Sequence, residues 1–320
     1  MQDAGVLIIK RIQLLYELRF CRIDIAMNAA FNDTIRSLIS GIFWSKSKIF
    51  RIPDGNRVYV IGDIHGQREL LSLLMTSILH DADRPHPIRC HLVFLGDYID
   101  RGNNSADILK IFLESGSADN MIFLKGNHEQ MLLDVCSGRI DAAMLWMKVG
   151  GQATLASFGV DLQKIDLTDP HEVIRCARTY IDESLRAWME ALPLFHRIGD
   201  YYFVHAGVRP GRALARQKAQ DQLWIRTEFS RSKRNHGAMI VHGHTIYPDG
   251  PFIAPNRIGI DTGAYRTGRL TALALEQDRQ WIVDVHEPQL ASGVGPDTPV
   301  HSFDDRQGRS IIHEQRSTPP

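Results

Sequence analysis

Five short segments of the sequence place a polar side chain beside a glycine, each directly after an apolar run. They are "IGDIHG", "LGDYIDRG", "KGNHE", "VHAG" and "VHGHT". In α/β sheets, ligands bind beyond the carboxyl ends of the strands, so we expect the polar side chains of these segments to converge on one site. The candidate donors are carboxylates, imidazoles and one amide: Asp63, His65, Asp97, Asn127, His205, His242 and His244.

This donor set is typical of a metal centre. Carboxylate oxygens and imidazole nitrogens without a thiolate suit Mn, Fe or Zn rather than a cysteine-bound structural zinc. Six or seven ligands exceed the needs of one ion with an open position, which indicates two ions. Two ions about 3.5–4 Å apart, with a bridging hydroxide, promote in-line displacement at phosphorus. The sequence therefore predicts hydrolysis of a phosphoester.

Each segment alone has a less specific interpretation. An Asp after a Gly commonly begins a turn, and an isolated "HAG" or "HGHT" more often contains a packed or capping histidine. All five segments occur in one chain, and each follows an apolar run. This joint occurrence favours the metal site over five unrelated turns.

Three of the segments match, in order and interval, the signature motifs of a known family. "GDIHG", "GDYIDRG" and "GNHE" resemble the phosphoprotein phosphatase (PPP) branch of the calcineurin-like metallophosphoesterases. "HAG", "GHT" and "IDTGA…GRLTALAL" extend the resemblance over about residues 57 to 285. The wording "FVHAGVRPG", "LWIR" and "HGHT" is similar to the bacterial members more than to the eukaryotic ones.

The resemblance implies a ligand set for two divalent ions, with Mn²⁺ as the expected metal and Fe or Zn as the alternatives. It assigns Asp63 and His65 to the first ion, Asp97 to both ions, and Asn127, His205 and His244 to the second. It also implies the family's reaction, in which a bridging hydroxide attacks phosphorus opposite the leaving group.

The resemblance implies four further residues that act on the substrate. Arg101 of "DRG" and Arg226 of "LWIR" are similar to the family's phosphate-binding arginines. An arginine presents a planar fork to phosphate oxygens and stays charged at any working pH. His128 resembles the general acid, with Asp100 as its hydrogen-bonded partner. A carboxylate beside His128 would keep the imidazole protonated, ready to give its proton to a departing alkoxide.

Several neighbouring residues carry weaker expectations. We expect Glu129 to cap a helix or support a ligand rather than to bind a metal. On an extended strand, residues two apart face the same way, so His242 either supports His244 or is simply a packed histidine. We expect Trp146 and Trp188 to pack in the core or the cap. We expect Tyr265 and Arg266 to line the cleft.

Regular elements must position these residues. Three successive strand–loop–helix units are predicted: "RVYVIGD" with "QRELLSLLMTSILH", "RCHLVFLGD" with "SADILKIFLES", and "MIFLKGN" with "EQMLLDVC". They indicate an α/β (α+β) domain. Residues 136–195 are helical in pattern, which predicts an inserted helical cap. Short strands then return and predict an antiparallel or mixed sheet, and the resemblance implies a β-sandwich flanked by helices.

The chain divides into three predicted parts. Residues 1–50 form an N-terminal extension that mixes aliphatic and basic residues. It is interpreted as a packing extension or as a segment upstream of a start at Met27, with a membrane-surface helix as the alternative. Residues 51–288 form the catalytic domain. Residues 289–320 are rich in Gly, Pro, Ser and charge, which predicts a disordered tail.

The composition excludes several classes of function. The 320 residues include 37 Lys+Arg and 37 Asp+Glu, so the net charge predicts no nucleic-acid or acidic-membrane partner. Cysteines 21, 90, 136 and 176 form no CxxC pair, which argues against a disulfide scaffold and indicates a reducing compartment. No signal peptide is recognised, and no apolar run approaches the roughly 20 residues that span a bilayer. We therefore expect a cytoplasmic protein.

The leading functional hypothesis is a metal-dependent protein phosphatase that acts on phosphoserine and phosphothreonine, with phosphotyrosine as a further substrate. Its partner is then a phosphoprotein. The alternative is a nucleotide phosphohydrolase of the diadenosine tetraphosphate type, because such bacterial enzymes share the same motifs. A third hypothesis, an inactive metal-binding scaffold, predicts that a ligand or an arginine is missing, and none is missing from this sequence.

Overall fold

Two five-stranded sheets organise the chain in the computed structural model, which describes residues 49–82, 88–115 and 119–287. The predictions for the N-terminal extension, the start at Met27 and the C-terminal tail lie almost wholly outside these residues. Within the described residues, no helix has the length and apolar character needed to cross a membrane.

The first sheet has the strand order β10-β9-β1-β2-β3. Strands β1, β2 and β3 run parallel, whereas β9 pairs antiparallel with both β1 and β10. Parallel neighbours need a crossover connection, and a helix follows each of the three parallel strands. The strands are β1 (Asn56–Ile61), β2 (Arg89–Phe94), β3 (Met121–Phe123), β9 (Arg269–Glu276) and β10 (Arg279–His286).

Three helices confirm the predicted strand–loop–helix units. They are α1 (Arg68–Ala82), α2 (Ser105–Glu114) and α3 (Asn127–Ser137). The apolar residues of α1 recur at helical spacing, so one face of the helix is buried against the sheet. The segments that connect each strand to its helix hold Asp63, His65, Asp97, Asp100 and Arg101, whereas Asn127 and His128 are the first residues of α3.

The second sheet has the order β4-β5-β6-β8-β7 and is mixed. Strands β5, β6 and β8 are parallel to one another, whereas β4 and β7 are antiparallel edge strands. The strands are β4 (Phe195–Ile198), β5 (Tyr201–Val204), β6 (Met239–His242), β7 (Phe252–Ala254) and β8 (Arg257–Gly259). Short helices join them: α8 (Ala219–Trp224) and α9 (Thr227–Ser230), with α10 (Ala264–Thr267) after β8.

The two sheets pack face to face, which confirms the predicted β-sandwich. Val58, Val60 and Val93 alternate along β1 and β2 and pack with Phe203 and Val241 of the second sheet in one apolar cluster. The intervening residues of the same strands face the opposite way and pack under the helices, among them Tyr59, Ile61, Leu92 and Phe94. The alternation of a strand thus separates a sheet–sheet core from a sheet–helix core.

The segment predicted as a helical cap is helical, as expected. Four α-helices occupy it within the continuous described stretch 119–287: α4 (Ile140–Lys148), α5 (Gly151–Ser157), α6 (Pro170–Tyr180) and α7 (Glu183–Ala191). We call this segment, residues 140–191, the helical insert. Its buried side chains belong to the same apolar cluster as those of α2 and α3, so the insert packs directly on the first sheet's helices.

Candidate active site

Backbone strain is concentrated at the predicted site. Six non-glycine residues have positive φ within the described residues, and five of them lie in the five segments that carry the chemistry. Left-handed conformations of non-glycine residues are uncommon and cluster at functional sites. These residues are His65 (φ 47°), Asp97 (φ 54°), Asp100 (φ 71°), Arg101 (φ 70°) and His244 (φ 60°).

Two groups of buried side chains can each hold a cation, and Asp97 belongs to both. One group is His65, Asp97 and His128, and the other is Asp97, His205 and His244. The donor atoms within each group lie within 4.8 Å of one another. Asp97 is therefore placed between the two groups, where the resemblance assigned it to both ions.

The hydrogen bonds of His205 show that a cation fits the second group. Nδ1 of His205 lies 2.9 Å from the Leu95 carbonyl oxygen, which can only accept, so this nitrogen carries the proton. Burial lowers the pKa of His205, which keeps the ring neutral and leaves a lone pair on Nε2. That lone pair faces Asn127 Oδ1 at 2.8 Å and Asp97 Oδ1 at 3.4 Å. Three acceptor atoms, one each from His205, Asn127 and Asp97, therefore converge without a donor between them, and a cation would stabilise this arrangement.

His65 is oriented in the same way in the first group. Its Nδ1 donates to the Ile99 carbonyl oxygen at 2.8 Å, so Nε2 keeps a lone pair directed to Asp97 Oδ2 at 3.6 Å. Burial, and then the charge of His128, lower the pKa of His65 to about 3. A neutral imidazole whose second nitrogen is held by a carbonyl is the usual arrangement of a metal ligand.

Asp63 lies beside a buried carboxylate to which the sequence assigned no role, Asp261. Burial, followed by the charges of Asp261 and Asp97, raises the pKa of Asp63 well above its usual range. Burial also raises the pKa of Asp261, to about 6. Asp261 belongs to "IDTGA" and follows a strand and a glycine, so the same pattern could have identified it. Cations would relieve the repulsion among these three carboxylates.

His128 and Asp100 form the predicted pair. Nδ1 of His128 lies 2.6 Å from Asp100 Oδ2, and both side chains are buried. Burial alone would lower the pKa of His128, but the charge of Asp97 and the hydrogen bond to Asp100 outweigh it and raise that pKa. Nε2 of His128 faces Arg101 Nη2 at 3.4 Å. Nε2 of His128 also lies 3.8 Å from Asp97 Oδ2, which places the predicted acid in the same group as His65 and Asp97.

Each of the two predicted phosphate-binding arginines contacts a histidine of one metal-capable group. Arg101 lies beside His128, and its guanidinium carbon is 4.2 Å from the centre of the Tyr265 ring. Arg226 donates from Nε to His244 Nε2 at 2.9 Å. The contacts among these side chains join all ten predicted site residues into one network that includes Asp97. The Tyr265 ring lies against His65 and Arg101.

Glu129 caps a helix and supports the turn of Asp97, as we expected from the sequence. Its carboxylate accepts the backbone N–H groups of Asp97, Tyr98 and Gly126 at 2.8–2.9 Å. These bonds cap α3 and fix the turn that carries Asp97. Burial, and then the charge of Asp97, raise the pKa of Glu129 to about 7.

His242 is a packed histidine. Its ring lies against Phe229 and Tyr247, its Nδ1 approaches the Gly243 carbonyl oxygen at 3.0 Å, and its Nε2 has no hydrogen-bond partner among the described atoms. Burial lowers the pKa of His242 to about 4. The period-two rule fails here because β6 ends at His242 and His244 has turned into the left-handed conformation.

Two residues of the helical insert bind Asp100 directly, a contact that no sequence pattern predicted. Nε1 of Trp146 lies 2.9 Å from both carboxylate oxygens of Asp100. The hydroxyl of Thr154 lies 2.6 Å from Asp100 Oδ1 and 2.9 Å from the Asp100 backbone nitrogen. Trp146 is buried as predicted, but it also holds a site carboxylate. Trp188 packs against Phe123 and Tyr98.

The fold and the site define a metallophosphoesterase. Residues 56–272 match the family of calcineurin-like phosphoesterases, and the chain belongs to that family. Members of the family use a dinuclear metal centre, which the two groups around Asp97 can hold. The broader resemblance drawn from the sequence is confirmed.

Relatives within the family differ in their described activities. An asymmetrical bis(5'-nucleosyl)-tetraphosphatase of Anoxybacillus flavithermus is 27% identical over 74% of this chain and 98% of its own. A symmetrical bis(5'-nucleosyl)-tetraphosphatase of Methylococcus capsulatus is 30% identical, over 48% of this chain and 44% of its own. Serine/threonine-protein phosphatase 1 of Salmonella typhimurium is 37% identical, over 29% of this chain and 38% of its own.

A solved structure supports the fold. A protein assigned provisionally as a diadenosine tetraphosphatase superposes with a TM-score of 0.50 at 21% identity, covering 71% of this chain and 93% of that one. At this level of identity the likeness bears on the fold alone, and it agrees with the two mixed sheets and their helices.

Proposed function

We propose that this metallophosphoesterase hydrolyses phosphomonoesters, and that its substrates are phosphoserine and phosphothreonine residues of proteins, with phosphotyrosine as a further substrate. The observation that carries the proposal is the His128–Asp100 pair beside the two metal-capable groups. A serine or threonine alkoxide is a poor leaving group and needs a proton as it departs. A nucleotide phosphate leaves as a stable anion and needs less help, so the pair supports an ester with a poor leaving group, although the dinucleotide hydrolases share the motifs that contain it.

The residues of the site have distinct proposed tasks. When bound, two divalent cations, most simply Mn²⁺ given the oxygen and imidazole donors, would activate water and polarise the phosphoryl group. Their proposed ligands are Asp63, His65, Asp97, Asn127, His205 and His244. Arg101 and Arg226 would hold the phosphate oxygens from either side, since each presents a charged planar fork.

Proton transfer completes the proposed reaction. The water oxygen forms the new P–O bond, and the P–O bond to the serine oxygen breaks. The proton on Nε2 of His128 passes to that serine oxygen, and a proton from the water restores His128. The products are a free hydroxyl and inorganic phosphate. Asp100 would hold the imidazole with Nε2 directed to the leaving group.

A second candidate is hydrolysis of dinucleoside polyphosphates. It is favoured by the similarity to the asymmetrical tetraphosphatase of Anoxybacillus flavithermus, which extends over 98% of that relative. An inactive scaffold is disfavoured, because no predicted ligand or arginine is missing from the sequence. The cytoplasmic location stays a prediction, consistent with the scattered cysteines.

A direct comparison of substrates tests the proposal. The metal-loaded protein should hydrolyse a phosphoserine peptide with a higher kcat/KM than diadenosine tetraphosphate. His128→Asn should lower phosphopeptide turnover by about 10²–10⁴-fold, because the general acid is lost. Bound metal, measured by elemental analysis, serves as the control and should persist in this variant. Turnover of the dinucleotide alone would overturn the protein-phosphatase assignment and favour the second candidate.

A further inference from the structure

The helical insert contacts the proposed proton donor through Asp100. Trp146 of α4 donates to both oxygens of the Asp100 carboxylate and Thr154 of α5 donates to Oδ1, whereas His128 Nδ1 bonds Oδ2. All four side chains are buried, and Trp146 and Thr154 have no exposed surface. Hydrogen bonds to an ionised group are stronger than neutral ones, and more so away from water. The insert therefore fixes the direction of the carboxylate.

The helical insert also holds the strained backbone of Asp100 and Arg101. Asp100 and Arg101 are consecutive residues in the left-handed conformation, with φ of 71° and 70°. The Asp100 N–H donates to the Thr154 hydroxyl, and the Arg101 N–H donates to the Gly150 carbonyl oxygen at 3.2 Å. Arg101 Nε donates to the Val149 carbonyl oxygen at 3.3 Å. A left-handed conformation of a non-glycine residue persists only where several surrounding contacts hold it in place, and the insert supplies such contacts here.

We propose that Trp146 and Thr154 are positioning residues, which hold the Asp100 carboxylate so that His128 presents its Nε2 proton to the leaving group. This inference rests on the proposed role of His128 as the acid. The helical insert then does more than shape the entrance to the site. Its α4–α5 hairpin completes the arrangement that protonates the leaving group, although it contributes no group that touches the substrate.

The proposal predicts a loss of activity that depends on the leaving group. Thr154→Val removes the hydroxyl and keeps the shape, whereas Thr154→Ser keeps the hydroxyl. Trp146→Phe removes Nε1–H and keeps an aromatic ring. On aryl phosphates with poor leaving groups, Thr154→Val and Trp146→Phe should each lose roughly tenfold in kcat, the scale of one charge-assisted hydrogen bond. On p-nitrophenyl phosphate the loss should be smaller, and Thr154→Ser should resemble the parent protein.

Trp188→Phe is the matched control. Trp188 lies in the same insert and packs against Phe123 and Tyr98, but its contacts are with core aromatic rings. Its substitution should change kcat equally for good and poor leaving groups, if at all. An equal loss across all leaving groups in Thr154→Val and Trp146→Phe would show a structural role only, and would overturn the proposal.

A second readout does not depend on turnover. In the protein loaded with diamagnetic Zn²⁺, the proton between His128 Nδ1 and Asp100 should give a downfield proton resonance that His128→Asn abolishes. Thr154→Val and Trp146→Phe should shift this resonance, and an unchanged resonance would overturn the proposal. If the parent protein leaves phosphopeptides intact, the proposed substrate class fails, whereas the resonance still decides the role of the two positioning residues.

Discussion

Glu129 is a fully buried carboxylate whose role is to satisfy backbone groups. Its two oxygens accept N–H groups from Gly126 at the start of α3 and from Asp97 and Tyr98 in the neighbouring turn. The left-handed conformation of Asp97 exposes its N–H to this carboxylate. One side chain thus caps a helix and fixes the residue that both metal-capable groups share.

Glu129→Gln should destabilise the protein although it changes few atoms. The amide offers one acceptor oxygen in place of two, and its NH₂ group would face backbone donors. At least one buried N–H loses its partner, at a cost of about 1–3 kcal/mol. Denaturant unfolding should show this loss, whereas Glu114→Gln on the exposed end of α2 should change stability by less than about 0.5 kcal/mol. Equal effects of the two substitutions would contradict the role given to Glu129.

At the scale of elements, the turn between α4 and α5 connects the helical insert to Arg101, the proposed phosphate-binding residue. Gly150 in this turn has φ of 112°, and a Cβ there would lie 2.8 Å from Arg101 Cγ and 2.9 Å from the Arg101 backbone nitrogen. Both the backbone conformation and the lack of space require a glycine. The insert therefore approaches Arg101 as closely as the backbone allows.

Gly150→Ala should displace Arg101 and lower kcat/KM for phosphomonoesters by roughly tenfold or more, because a 1 Å displacement at a site is costly. Gly159→Ala is the matched control. Gly159 lies in the same insert with φ of 88°, and a Cβ there meets nothing within 4 Å. Both variants carry the strain of a left-handed alanine, about 1–2 kcal/mol. If both lose activity to the same extent, backbone strain explains the effect and the close approach to Arg101 does not.

At the scale of the whole molecule, the site lies where the two sheets meet. Asp63 and Asp97 lie in turns after β1 and β2 of the first sheet, and Asn127 begins the helix after β3. His205 and His244 follow β5 and β6 of the second sheet. Cations bound between them would join the sheets and neutralise the buried carboxylates. Metal binding should then contribute to global stability as well as to chemistry.

Removal of metal should lower the melting temperature of the whole protein in one transition. At metal concentrations 100 to 1,000 times the Kd, binding stabilises by about 3–4 kcal/mol, which corresponds to roughly 10 °C for a domain of this size. Calorimetry before and after chelation, with readdition of Mn²⁺ as the control, measures this shift. Asp97→Asn should reduce the response to metal. A melting temperature that chelation leaves unchanged would count against cations that join the sheets.

The sequence by itself determined which polar side chains gather at the site, at the ends of strands of both sheets. Each of those residues follows a strand, and all but His205 also follow a glycine in the same segment. This pattern is local, because side-chain alternation and turn chemistry act over a few residues. The same pattern reaches Asp261, to which no role was given. The alternation rule fails at His242. This residue and His244 are two apart and were expected to face the same way, but His244 has the left-handed conformation and faces elsewhere.

Only the tertiary structure decided which residues support the donors. Trp146 and Thr154 lie 46 and 54 residues from Asp100 along the chain, and no spacing rule joins them to it. Their contact depends on how α4 and α5 pack over the turn after β2, which follows from the shapes of many apolar side chains together. Local patterns therefore specify the groups that do chemistry, whereas the packing of the helical insert specifies how rigidly those groups are held.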